Sequence, residues 1–147
     1  MKPKTLLYVE DSDVDVFFVK RLFELWGAPD NLRVVHTGEN AVDYLAGANR
    51  FEDRENFPLP AMVLLDLKLP GMHGFDVLSW IRRQPQFEKL PVILFTASNL
   101  DADIRRAVEL GATDYIVKPA DLSTLPEILA PVLKRYLCLD AHRKQAA

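Results

Sequence analysis

The chain has 147 residues, of which 49% are hydrophobic and 27% charged, and its formal net charge is −3. This length and composition fit one globular domain with a sizeable core and exclude a disordered or fibrous chain. The mild negative charge excludes the broad basic field that nonspecific nucleic-acid binding needs, and no stretch approaches the roughly 20 apolar residues of a membrane span. With a single cysteine, Cys138, and no apolar leader, the sequence predicts a cytoplasmic protein without nucleic-acid or membrane partners.

Short apolar runs alternate with amphipathic segments along the whole chain, which is typical of βαβ units around a parallel sheet. The predicted strands are 5–9, 32–35, 61–65, 92–95 and 115–117. Most of these runs are continuously apolar, as expected for strands that are covered on both faces. We therefore predict an α/β fold with a doubly wound, five-stranded parallel sheet in the order 2-1-3-4-5.

Five helices are predicted between and after these strands, at about 14–26, 39–46, 75–83, 101–110 and 122–137. In the first helix, helical spacing predicts that Phe18, Leu22, Leu25 and Trp26 face the core. Phe17 falls away from that side, so we expect it to be exposed. The connection 46–60 is longer than usual between a helix and a strand, and connections of that length are often functional.

Polar side chains follow most of the predicted strands. Glu10 and Asp11 come after the first strand, Asp66 after the third and Lys118 after the fifth, while Thr96 ends the fourth. Open α/β sheets bind ligands just beyond the carboxyl ends of their strands. Because the first and third strands are neighbours in the predicted order, we expect the three carboxylates to converge there.

The charge balance of this group suggests its ligand. Three carboxylates and one ammonium leave two negative charges, which repel each other unless a proton or a cation compensates them. An all-oxygen set favours a hard divalent ion, and few carboxylates with room for water suit Mg²⁺. With the ion bound, Asp66 is placed to attack a phosphoryl group, while Thr96 and Lys118 stabilise its charge.

Four segments together resemble the receiver domain of two-component response regulators: "LLYVEDSD", "MVLLDLKLPGMHG", "VILFTAS" and "GATDYIVKP". The resemblance covers nearly the whole chain and implies the flavodoxin-like receiver fold. It implies that Asp66 is the phosphoacceptor and that Thr96 and Lys118 contact the phosphate. It also implies that Mg²⁺ is held by Glu10, Asp11, Asp66 and the backbone carbonyl of Lys68.

The resemblance carries two further expectations at the fifth strand. Tyr115 corresponds to the aromatic residue that changes position on phosphorylation, and the Lys118–Pro119 peptide is expected to be cis. Two departures are small: Glu10 stands where many relatives have Asp, and His73 stands where an acid is frequent.

The domain division predicted from the sequence is a receiver domain at 1–138 and a short tail at 139–147, without an output domain. By resemblance, the chain is a stand-alone receiver similar to the response regulators associated with bacterial phytochromes. It is expected to be a phosphoacceptor signalling protein and not an enzyme, catalysing only its own phosphorylation and dephosphorylation. The expected phosphodonor is a sensor histidine kinase, for example a phytochrome-type kinase, or a phosphotransfer protein.

Self-association is predicted because a chain without an output domain must signal through protein contacts. By resemblance, the fourth helix, fifth strand and fifth helix form the responding face. The fifth helix has an apolar stripe that is broader than one sheet face requires. The stripe contains Leu125, Ile128, Leu129, Val132, Leu133, Tyr136 and Leu137. We therefore expect a homodimer through this face.

Two other functions share parts of this pattern. A phosphatase of the haloacid dehalogenase type also has an aspartyl nucleophile after a buried strand, but its second acid would fall at Lys68, which is no proton donor of that kind. A flavodoxin-like binding module shares the fold, but "EDSDVD" in its first turn would repel a phosphate. A yellow colour of the purified protein would favour that second alternative.

Overall fold

The computed structural model describes residues 4–139, which form a five-stranded sheet flanked by five α-helices. All strand pairs are parallel and the order is β2-β1-β3-β4-β5, which confirms the predicted fold. The strands are β1 (Leu6–Val9), β2 (Leu32–Val35), β3 (Met62–Leu65), β4 (Val92–Thr96) and β5 (Asp114–Val117). The helices are α1 (Asp13–Leu25), α2 (Gly38–Ala46), α3 (Gly74–Arg83), α4 (Asp101–Glu109) and α5 (Leu125–Leu137).

Both faces of the sheet are covered, because alternate residues of each strand point to opposite sides. Leu6 and Tyr8 of β1 pack with α1 and α5, whereas Leu7 and Val9 pack with α2 and α3. The central strands β1, β3 and β4 are buried along their whole length, while β5 at one edge is half-exposed. This arrangement explains why the sequence of the central strands is continuously apolar.

The core-facing side of α1 differs from the prediction. Phe18 and Leu25, which we expected to face the core, are 37% and 49% exposed. The buried residues of the helix are Val16, Val19, Leu22 and Phe23. Helical spacing allowed either of two neighbouring apolar stripes, and packing against β1 and α5 selects this one. The expected exposure of Phe17, at 62%, is confirmed.

The predicted apolar stripe of α5 is buried on one side and half-exposed on the other. Leu125, Leu129, Leu133 and Leu137 are buried against the sheet. Ile128, Val132 and Tyr136 are half-buried beside them. Leu139, which we assigned to the tail, is also buried in this core, and the rest of the tail lies outside the described residues. In the part of the chain that the structure describes, no helix is long and apolar enough to cross a membrane.

Candidate functional site

Three carboxylates converge at the carboxyl edge of the sheet. Val9 of β1 pairs with Leu65 of β3, so the acids Glu10 and Asp66 that follow them leave the sheet side by side. Carboxylate oxygens of Glu10, Asp11 and Asp66 lie within 4.8 Å of one another. The structure therefore brings together the three acids that the sequence predicted.

The ammonium group of Lys118 joins this cluster from the end of β5. Its Nζ lies 2.5 Å from Glu10 Oε1 and 3.2 Å from Asp66 Oδ2. The backbone N–H of Lys118 donates to the carbonyl of Thr96 at 2.8 Å, which holds the end of β5 against β4. The predicted lysine is thus in direct contact with the predicted phosphoacceptor.

Asp15 is a third ion-pair partner of Lys118, at 2.7 Å, and sequence analysis did not identify it. Ser12 caps α1 by accepting a hydrogen bond from the Asp15 backbone N–H, so Asp15 lies in the first turn of that helix. An acid three residues after a capping serine is common because it interacts favourably with the helix dipole. Because Asp15 has an ordinary role at the helix start, its sequence position does not predict the contact with Lys118. That contact depends on the tertiary structure.

Burial dominates the electrostatics of the site. Glu10 is 1% exposed, and burial raises the pKa of its carboxyl group to about 7; the hydrogen bond from Lys118 opposes this shift, and Asp66 adds to it. Burial by itself lowers the pKa of Lys118, but hydrogen bonds to Asp15 and Glu10 outweigh it and raise that pKa. Lys118 therefore stays protonated as an ammonium. The negative charge of Glu10, its most deeply buried partner, is only partly offset by that ammonium.

The loop from Asp66 to Gly74 is held by a backbone hydrogen bond and by two glycines. The backbone N–H of Leu67 donates to Asp66 Oδ1 at 2.8 Å, which fixes the carboxylate. Gly74 packs against this segment so closely that an added Cβ would clash with the Asp66 carbonyl oxygen. Gly71 has a φ of 71°, a left-handed conformation that glycine adopts without strain. The glycines of "LPGMHG" thus hold the loop that presents Asp66.

A cavity of about 300 Å³ lies beside the carboxylates. Asp66, Lys68, Thr96 and Lys118 are among its lining residues, together with residues 97–100 and Asp103. Thr96 is 2% exposed, and its Oγ1 accepts a hydrogen bond from the Ser98 backbone N–H at 3.4 Å. The cavity therefore brings a nucleophilic carboxylate, an ammonium and a hydroxyl to one space.

Tyr115 lies beside this cavity in a half-buried position. Its hydroxyl donates to the backbone carbonyl of Ser98 at 2.9 Å, so the ring is tied to the β4–α4 loop. Ser98 in turn donates from its hydroxyl to Asp103 at 2.5 Å. Tyr115 is thus connected to the segment that follows Thr96.

The expected cis peptide at Lys118–Pro119 is wrong. The described residues contain no cis peptide bond, so this peptide is trans. Trans is the more stable form of a bond preceding proline. The contacts of the Lys118 side chain with three carboxylates are made with this trans peptide.

The donor set fits a hard divalent cation. Three carboxylates offer oxygens within 4.8 Å of one another, and Asp11 is exposed at the edge, where water can complete the coordination. Lys118 compensates one negative charge and leaves the excess that a divalent cation requires. No histidine or cysteine contributes to this cluster, which disfavours softer metals.

A family model described as the response regulator receiver domain matches residues 6–130. The chain therefore belongs to the response regulator receiver domain family. This confirms the resemblance that the four sequence segments indicated, and it makes the chain a signalling receiver. The dehalogenase-type phosphatase and the flavodoxin-like module are accordingly set aside.

Relatives of similar length support this assignment. The probable methanogenesis regulatory protein FilR2 of Methanothrix harundinacea is 33% identical over 135 residues, covering 92% of this chain and 84% of that protein. Response regulator Rcp1 of Synechocystis sp. is 32% identical over 123 residues, covering 84% and 82%.

Two solved structures share the fold. The phosphorylated cyanobacterial phytochrome response regulator RcpA matches with a TM-score of 0.83 and 28% identity, covering 91% of this chain and 94% of that one. The Mn²⁺-bound form of Rcp1 matches with a TM-score of 0.78 and 28% identity, covering 92% and 95%. The chain is therefore similar to phytochrome response regulators in sequence and in structure.

Proposed function

We propose that Asp66 accepts a phosphoryl group from a phosphohistidine of a sensor kinase or phosphotransfer protein. The observation that carries this proposal is the contact of buried Asp66 with Lys118 beside an open cavity. An oxygen of Asp66 forms the new P–O bond while the P–N bond of the phosphohistidine breaks. The electron pair stays on the imidazole nitrogen, which leaves as the kinase histidine.

The divalent ion that we assign to the site is Mg²⁺, held by Glu10, Asp11, Asp66 and the backbone carbonyl of Lys68. When bound, it supplies positive charge against the phosphoryl oxygens. The manganese-bound form of Rcp1 supports a hard divalent ion in a related protein. The excess of carboxylate over ammonium in this chain is the local reason for it.

Lys118 and Thr96 are assigned to the phosphoryl group itself. Lys118 is held as an ammonium, so in exchange for its contact with Asp66 it can donate to a phosphoryl oxygen. Thr96 lines the same cavity and offers a hydroxyl donor. Hydrolysis of the acyl phosphate at this site would make the chain its own phosphatase.

Phosphorylation acts as a switch through Thr96 and Tyr115. We expect Thr96 to move toward the phosphoryl group and Tyr115 to turn into the space that it leaves. The hydrogen bond of Tyr115 to the Ser98 carbonyl must break or move with the loop for this to happen. The phosphoryl group can favour one state only by the difference in its contacts with the two.

The remaining parts of the proposal are the kinase that donates the phosphoryl group and the protein contact that follows phosphorylation. The similarity to RcpA and Rcp1 supports a phytochrome-type kinase as the donor, acting in the cytoplasm. Phe17 is exposed on α1, two residues after the Lys118 partner Asp15, and is the proposed kinase anchor. The response is a homodimer through α4, β5 and α5, where the half-buried Ile128, Val132 and Tyr136 leave apolar area uncovered.

The test is labelling of the intact protein with acetyl phosphate and Mg²⁺, followed by intact-mass measurement. The wild type should gain one phosphoryl group, and removal of Mg²⁺ with EDTA should abolish the gain. Asp66→Asn should not be labelled, whereas Asp76→Asn, which changes an exposed acid on α3, should be labelled like the wild type. Undiminished labelling of a folded Asp66→Asn protein would refute the assignment.

A further inference from the structure

A second cavity, of about 320 Å³, lies between the edge strand β2 and the connection 46–60. Its basic lining residues are Lys20, Arg33, His36 and Arg50. Leu32, Val34, Tyr44, Phe51 and Phe57 form its apolar wall. None of these residues belongs to the carboxylate cluster, and the lining contributed by residues 4–139 includes no acid. The cavity is therefore separate from the proposed phosphorylation site and opposite to it in charge.

The cations of this cavity have no carboxylate partner among the described residues. Among residues 4–139 the ion pairs involve Lys118 and Arg106 as cations, so Lys20, Arg33 and Arg50 have no carboxylate partner there. One terminal nitrogen of Arg33 donates to the Asn56 carbonyl at 2.7 Å, but its buried Nε has no hydrogen-bond partner in the described structure. The Arg33 guanidinium is therefore only partly hydrogen-bonded, and no carboxylate neutralises its charge among the described residues.

Hydrogen bonds and ring contacts hold the connection 46–60 against α2, and this connection forms one wall of the cavity. The guanidinium of Arg54 donates to the carbonyls of Tyr44 and Leu45, both at 2.8 Å, at the carboxyl end of α2. The Tyr44 hydroxyl donates to the Pro58 carbonyl at 2.9 Å. The rings of Tyr44, Phe51 and Phe57 pack together with centroids 5.1 to 6.0 Å apart. A cavity that exists before binding avoids much of the ordering cost of a ligand.

The basic and the apolar lining residues together favour a ligand that has one anionic part and one flat apolar part. Arg50 lies over the Phe51 ring at 4.6 Å, which keeps its flat guanidinium against the apolar wall. Guanidinium groups bind phosphate through paired hydrogen bonds, and they also stack on flat rings. The volume is at the small end of ligand cavities, which run from roughly 300 to 1,000 Å³, so one small molecule fits better than a protein segment.

We propose that this cavity binds a small ligand that joins a phosphate to a flat ring, of the nucleoside monophosphate class. The phosphate is held by Arg33, Arg50 and Lys20, and the ring lies against Leu32 and Phe57. His36 connects the cavity to the carboxylate site, because its Nδ1 contacts the Glu10 carbonyl at 3.0 Å.

The test is titration of the isotope-labelled protein with AMP in EDTA, followed by backbone amide shifts. EDTA removes divalent ions, so the measurement does not depend on phosphorylation of Asp66. AMP should bind with a Kd below about 1 mM and shift the amides of Arg33, Arg50 and Phe57. Inorganic phosphate alone and adenosine alone should each bind at least about tenfold more weakly, because each lacks one part of the ligand.

Variants distinguish specific binding of AMP in the cavity from nonspecific attraction of an anion to surface arginines. Arg33→Met and Arg50→Met should each weaken AMP binding about tenfold, since each removes charged hydrogen bonds to phosphate. Arg50 is exposed, so its replacement tests the site without disturbing the fold. Arg83→Met, which removes an exposed arginine of α3, is the matched control and should bind AMP like the wild type.

Four results with AMP and inorganic phosphate would overturn the proposal, and a fifth would come from an acidic peptide. They are no AMP-dependent shift at about 5 mM, shifts at Asp66 and Thr96 instead of the cavity, unchanged binding by both variants, and equal affinity for inorganic phosphate. Stronger binding of a tetra-aspartate peptide than of AMP would assign the surface to an acidic protein. None of these results depends on acetyl phosphate labelling of Asp66. A failure of AMP binding therefore does not contradict the proposed phosphoacceptor function.

Discussion

Lys118→Met should destabilise the metal-free protein by about 3 kcal/mol at pH 7, because it removes the one ammonium in contact with three carboxylates. Glu10 and Asp66 are buried, whereas the Asp15 side chain is 21% exposed and is partly screened by water. Breaking a buried pair by removing one partner costs about 3–5 kcal/mol. Methionine preserves most of the apolar stem, so the loss reports the charge.

Proton uptake limits this loss. The variant can compensate for the missing ammonium by binding one more proton in the cluster. Glu10, with a pKa of about 7, is already partly protonated in the wild type at pH 7, so the additional proton goes to a second carboxyl of the cluster. For an aspartate with an ordinary pKa of about 3.9, protonation costs about 4.2 kcal/mol at pH 7 and about 1.5 kcal/mol at pH 5, at about 1.36 kcal/mol for each pH unit. The folded variant then binds more protons than the unfolded chain, so its stability rises as the pH falls.

Urea denaturation in EDTA at pH 7 and pH 5 measures both numbers. The difference between Lys118→Met and the wild type should be about 3 kcal/mol at pH 7 and about 1 kcal/mol at pH 5. Added Mg²⁺ should restore part of the stability at pH 7, since it binds the folded cluster and supplies the missing charge. Lys134→Met, at an exposed position on α5, is the control and should differ little from the wild type.

A loss below about 1 kcal/mol at pH 7 would refute this reasoning, because the carboxylates would then be hydrated well enough to tolerate one another. A loss that is equal at the two pH values would have the same consequence. It would indicate that lost packing, and not charge, sets the stability.

Three other predictions concern the stability of the fold and its surfaces. Arg82 donates to the carbonyls of Gly111 and Leu90, both at 2.8 Å, so Arg82→Met should cost about 2–3 kcal/mol in urea denaturation, against little loss in Arg83→Met. Phe17→Ala should slow phosphotransfer from the cognate kinase but not labelling by acetyl phosphate; a wild-type transfer rate would argue against kinase docking there. Tyr136→Glu should lower the dimer fraction in sedimentation, and an undisturbed dimer would move the interface elsewhere.

The sequence by itself determined the fold and which polar residues meet at the candidate site. Continuous apolar runs specify buried parallel strands, and the polar residues after them fall at one edge because the strands run in the same direction. Glu10, Asp11 and Asp66 were therefore predicted to converge, and their carboxylates do converge. This inference succeeds because it depends only on strand order and on alternation along each strand.

Only the tertiary structure decided the remaining features, because they depend on packing between elements that are distant in the sequence. Asp15 is 103 residues from Lys118, and nothing local distinguishes it from an ordinary acid at a helix start. Phe18 and Leu25 were misplaced because a helix with two apolar stripes is oriented by the sheet and by α5, and not by its own periodicity. The contact of Arg33 on β2 with the Asn56 carbonyl in the 46–60 connection likewise joins residues that are 23 positions apart in the sequence.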